Sequence, residues 1–138
     1  DGNSGGLIAW DPAHGKKIWE IPEKFMVMSG VVTTKSNLVF YGTTDGWFRA
    51  VDAWTGKVLW SQKLGSGIIG QPITYLGPDN RQYVAVAAGV GGAAMVQQDR
   101  PGFLPRGNTL YVFSIDGDGI QAAGSDVPSP QLAPTSQP

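Results

Sequence analysis

Short apolar runs recur along the chain, each closed by a polar turn containing glycine, and none is long enough to read as an amphipathic helix. WFRAVD (47–52) predicts a short strand, AWTG a turn with Gly56 free to take positive φ, and KVLWSQK (57–63) a returning strand. Two further runs, FMVMSGVVTT (25–34) and LVFYGTT (38–44), precede this hairpin, so a unit of four strands is predicted over 25–34, 38–44, 47–52 and 58–63. QPITYL (71–76), QYVAVAAG (82–89) and TLYVFSI (109–115) predict three strands of a further unit, with a glycine-rich excursion between the last two.

The hairpin has a near copy upstream. AWDPAHGKKIW (9–19) aligns with AVDAWTGKVLW (50–60), pairing Ala9 with Ala50, Asp11 with Asp52, Gly15 with Gly56, Lys16 with Lys57 and Trp19 with Trp60, all at one offset. That offset is about the length of a propeller blade repeat. Each residue type has a reason to recur. The Asp accepts backbone N–H bonds of its turn, the Trp has a broad face to bury, and the small Ala opposite leaves room for the ring. The Trp is therefore expected to dock one repeat against the next.

The predicted organisation is an all-β, incomplete β-propeller. It comprises the second half of a blade (1–24), a complete four-stranded blade (25–65), a last blade lacking its outer strand (66–117) and a disordered Pro/Ser-rich tail (118–138). A start at Asp1 rather than Met, and blades lacking strands at both ends, lead to the expectation of the end of a larger propeller, its remaining blades supplied by an N-terminal part.

Composition narrows the chemistry. Among 138 residues, 20 Gly and 10 Pro with 15% charged residues suit a turn-rich β protein. A net charge of −1 with scattered Lys and Arg argues against nucleic acid, and no run reaches the roughly 18 apolar residues of a membrane span. Without cysteine there is neither a disulfide nor a thiolate site. His14, the lone histidine, falls in a hairpin turn and is expected at the surface rather than as a base. DGDG (116–119) resembles the start of a calcium loop but lacks the later ligands.

The docking hairpin, with NLVFYGTTDGWFRAVDAWTGKVLWSQKLGSGIIGQPITY (37–75) and QYVAVAAGVGG (82–92), resembles the late blades of quinoprotein alcohol dehydrogenases, the methanol and ethanol dehydrogenase large-subunit family. The resemblance implies an eight-bladed propeller, usually periplasmic, with pyrroloquinoline quinone (PQQ) and a calcium or lanthanide ion on its axis. It also implies an alcohol substrate and a cytochrome c electron acceptor. Metal ligands and the catalytic base are expected in the missing N-terminal part, so no catalytic residue is assigned to this chain, which is not expected to be catalytic alone.

Two stretches match segments that line the site in that family. In VMSG (27–30), Met28 stands where relatives carry Trp and Ser29 where they carry Gly, which implies contact with PQQ. In GVGGAAM (89–95), Gly91 and Gly92 allow close approach to a planar ligand. Ala93 replaces a Trp that roofs the pocket in relatives acting on small alcohols, implying an alcohol bulkier than methanol. The same stretches also read as an ordinary core strand and a turn into a variable loop, with VQQDRPGFLPRG (96–107) a rim or a solvated loop. A non-catalytic propeller scaffold for periplasmic protein binding is the alternative.

Overall fold

The computed structural model describes residues 2–90 and 107–114. They form nine strands in three antiparallel sheets, and none of these residues is helical. A two-stranded sheet pairs β1 (Gly5–Asp11) with β2 (Lys16–Glu23). A four-stranded sheet runs in order β3 (Val32–Thr33), β4 (Leu38–Gly42), β5 (Trp47–Asp52), β6 (Val58–Lys63). A three-stranded sheet orders β7 (Ile73–Leu76), β8 (Gln82–Ala88) and β9 (Thr109–Ser114). Among the described residues no helix is long and apolar enough to cross a membrane.

The repeated hairpins fold as the repeat predicts. Ala9 pairs with Trp19 and Ala50 with Trp60, and both copies shift register just after the Ala. Asp11 Oδ1 accepts from the N–H of Ala13 and His14, and Asp52 Oδ1 from those of Trp54 and Thr55. These bonds, with His14 Nδ1 at 2.6 Å from Asp11 Oδ2, leave His14 an exposed turn residue. The His14 bond holds the Asp11 carboxyl below its usual range, and the Thr55 bonds do the same for Asp52.

The docking role of the Trp is visible at the first junction. Trp19 Nε1 donates to Ala53 O of the next sheet at 3.0 Å, and its ring lies against Gly56. Gly56 has φ +71°, and a Cβ there would sit 2.8 Å from the ring, so both backbone and packing require glycine.

Period-two alternation gives the central sheet two buried faces. Val39, Tyr41 and Val51 pack with Leu7, Trp19 and Ile21 of the first sheet. Phe40, Phe48 and Ala50 pack with Val84, Val86 and Ala88 of the third, joined by Trp60, Tyr111 and Phe113. The strand expected over 25–34 is corrected to Val32–Thr33. Ahead of Val32 the chain leaves the ladder, because the polar groups of Gly42 are taken by the Ser29 side chain instead of by a paired backbone. The expected tail (118–138), DGDG (116–119) and most of 96–107 lie outside the described residues.

Candidate functional site

The non-ladder segment Met26–Val31 forms a corner at the entry to the central blade. Thr44 N donates to Met26 O at 3.0 Å. Ser29 Oγ accepts from Gly42 N at 2.8 Å and lies within donating distance of both Gly42 O (3.0 Å) and Gly30 O (2.9 Å). One hydroxyl thus does what a neighbouring strand would do for the end of β4. From the first sheet, Gly5 lies against the backbone of Phe25, Met26 and Val27, so closely that an added Cβ would stand 2.7 Å from Phe25 O. Phe25, just ahead of the corner, is buried.

This arrangement separates the two residues singled out in VMSG. The Ser29 side chain is engaged with its own blade, so what it offers a ligand is backbone. Met28 is 39% exposed, an apolar side chain standing out from a corner tied elsewhere. A polarisable thioether in that position suits the face of a flat ring. Gly91, Gly92 and Ala93 lie outside the described residues, but the chain leading to them does not. Gly89 N donates to Gly67 O at 2.8 Å, Ile68 and Gly89 form a parallel bridge, and Val90 is buried. An open groove of about 430 Å³ runs beside this second corner, lined by Ile69, Gly70, Ala87, Gly89, Val90 and Leu110.

A single linker joins the two corners. Between β6 and β7, Ile68 is fully buried and its N–H donates to Thr43 O at 3.0 Å, at the end of β4. The preceding Gly67 accepts from Gly89, and Gln71 Nε2 donates to Val31 O at 3.2 Å. The first segment expected to line a ligand site and the entry to the second at Gly89 are therefore held by the same nine-residue connection, Leu64 to Pro72.

Sequence reasoning missed a buried polar cluster behind the first corner. Tyr41 OH donates to Glu23 Oε1 at 2.6 Å, and Arg49 Nη1 donates to the same oxygen. Tyr41 is fully buried and Glu23 is 5% exposed. Burial, then the bond to Glu23, push the Tyr41 phenol far above its usual range, so it stays a donor. The available signal was Arg49, a cation on the same strand face as buried Val51. Among the described residues no three His, Cys, Asp or Glu side chains converge as a metal site.

The family model for the PQQ glucose/ethanol/alcohol dehydrogenase β-propeller domain matches residues 22–84. The lanthanide-dependent methanol dehydrogenase of Methylacidiphilum fumariolicum is 66% identical over 88 residues, 64% of this chain and 14% of that protein. The quinoprotein alcohol dehydrogenase PedE of Pseudomonas putida is 44% identical over 121 residues, 83% of this chain and 19% of that protein. Among solved structures, a europium-containing methanol dehydrogenase superposes with a TM-score of 0.66 at 60% identity, over 73% of this chain and 18% of that one. The chain spans less than a fifth of the length of the relatives it matches here. With the docked hairpins and stacked sheets, these matches place the chain in the quinoprotein alcohol dehydrogenase family, as a segment of its β-propeller.

Proposed function

We propose that the full-length protein of which this chain is a segment oxidises an alcohol to an aldehyde or ketone in the periplasm and passes the electrons to a cytochrome c. PQQ, polarised by a calcium or lanthanide ion, supplies the hydride acceptor for that chemistry. The observation that carries the reading for this chain is the corner at Met26–Val31. It is fastened by Ser29 to Gly42, by Met26 O to Thr44 and by Gln71 to Val31, while Met28 remains 39% exposed. A corner fastened in this way can present one side chain at a fixed place, which a flat cofactor needs in order to be held in register with a substrate.

Met28 would pack against the ring system, with the backbone of Ser29 beside it. Gly91 and Gly92 would let the second corner approach the same cofactor. Ala93, where small-alcohol relatives carry Trp, would leave space for a larger substrate. The metal ligands and the base that takes the alcohol proton belong to the rest of the protein.

The test is dye-linked oxidation by the full-length protein supplied with PQQ and either calcium or lanthanum, across alcohols from methanol to benzyl alcohol. Dye reduction that needs both quinone and metal is expected, with kcat/KM favouring the bulkier alcohols. An Ala93→Trp variant should move the preference toward methanol by about tenfold, the scale of filling a side-chain-sized pocket. No quinone-dependent reduction with any alcohol would leave a non-catalytic propeller scaffold.

A further inference from the structure

The corner carrying Met28 is fastened by its own blade through Ser29 and by the first sheet through Gly5. Among the described residues, a side chain from the linker that leads into the third sheet fastens it as well. Gln71 is exposed, precedes β7, and reaches across to donate from Nε2 to Val31 O at 3.2 Å. Its amide also occupies the place where a side chain on Gly30 would begin. A Cβ built there would stand 1.9 Å from Gln71 Oε1 and 2.2 Å from Cδ, and the three nearest atoms all belong to Gln71. Gly30 is not among the glycines with positive φ, so the backbone alone does not demand glycine at this position. The close approach comes from the end of the Gln71 side chain, which a Cβ at Gly30 would push aside.

The backbone of Gln71 is itself restricted by its successor. Pro72 is fully buried, and a residue before proline is restricted to extended conformations. The direction in which the Gln71 side chain leaves the backbone is thereby fixed by a ring locked in the core. On the same linker, Ile68 is buried and bonded to the end of β4. The amide thus projects from a linker anchored on both sides of it.

We propose that Gln71 is a positioning residue for the quinone-facing corner, holding Val31 O and packing on the bare Cα of Gly30 so that Met28 stands at a fixed distance from the cofactor. This rests on the reading that the corner faces PQQ. Gln71 does not touch the reacting atoms in this account; it acts through the corner. Glycine at position 30 and glutamine at position 71 form one device, since a methyl group at Gly30 would displace the amide and break its bond to Val31 O.

The device predicts a particular pattern in full-length protein purified without cofactor and titrated with PQQ in calcium buffer, followed by absorbance. Gln71→Ala should weaken PQQ binding about fivefold, the scale of one net hydrogen bond. Gln71→Glu, which has no amide to donate, should do at least as much. Gly30→Ala should match Gln71→Ala, and the double variant should be no weaker than either single, because both remove the same contact. Hydrogen exchange of the amides at 26–31, measured without cofactor, should quicken in every variant, while the thermal midpoint stays within about 2 °C of wild type.

Wild-type PQQ affinity in Gln71→Ala, or single effects that multiply in the double variant, would overturn the proposal. If wild type itself fails to bind PQQ, the functional reading has failed. Exchange at 26–31 then decides whether Gln71 holds the corner, and unchanged exchange in Gln71→Ala overturns that as well.

Discussion

On one side of the central sheet, Tyr41, Arg49 and Val51 meet Glu23, Trp19 and Ile21; on the other, Phe40, Phe48 and Ala50 meet Val84, Val86 and Phe113. The first junction is organised by directional bonds: Trp19 to Ala53 O, and Tyr41 and Arg49 to one oxygen of Glu23. The second is organised by ring contacts. Phe48 stacks on Phe40 at 6.0 Å and on Phe113 at 5.7 Å, and Trp60 meets both Phe48 and Phe113 edge-on. Aromatic packing supplies more buried apolar area, whereas hydrogen bonds fix angle and register. The directional junction adjoins the corner whose placement the proposed function calls on: Glu23 pairs with Gly5, and Gly5 lies against the backbone of Phe25, Met26 and Val27. The contrast therefore reads as a division of labour, with cohesion on one side of the blade and positioning on the other.

The sharpest way to break the comparison is at the ring cluster. Phe48→Ala removes a fully buried ring that touches Phe40, Trp60 and Phe113, and should cost about 3–5 kcal/mol, read as a lowered denaturation midpoint of the full-length protein. A loss under about 1 kcal/mol would mean that the second junction is not a packed core.

A smaller effect is expected across the blade. Glu23→Gln keeps an acceptor for Tyr41 and Arg49 but removes the charge, turning charge-assisted bonds into neutral ones. The cost should be about 1–2 kcal/mol, reduced because Arg49 is partly open to solvent. Stability should fall modestly while PQQ affinity falls in parallel, if the polar junction serves placement. A stability loss with unchanged affinity would assign Glu23 to cohesion and dissolve the contrast.

Much of this was legible in the sequence where the causes are local or repeated. The Asp that caps each turn, the glycine at positive φ, and the Ala–Trp pair were readable because each depends on residues a few positions apart and occurs twice. The alignment of Trp19 with Trp60 made docking between repeats a reasonable expectation, and Ala53 O supplies the partner. The strand over 25–34 was overextended because β-prone residues such as Val27 and Val31 say nothing about which backbone is available to pair. Only the fold shows that Ser29 Oγ takes the place of that backbone.

The buried cluster and Gln71 were not legible for a related reason. Arg49 and Glu23 are 26 residues apart and Gln71 and Val31 are 40 apart, so nothing local marks them as partners. Gly30 carried no signal either, because what lies against its Cα is a side chain from 41 residues further along, Gln71. Met28 and Ser29 were chosen through family resemblance, and the fold distinguishes them: one side chain stands outward and the other is bonded within its blade.

The most direct test of the central claim is a structure of the full-length protein with PQQ bound, in which one distance is measured, from the Met28 side chain to the nearest ring atom of the quinone. Van der Waals contact, about 3.5–4 Å, is predicted, with Gln71 still bonded to Val31 O. A quinone seated elsewhere, with Met28 packed against a neighbouring blade, would contradict the account.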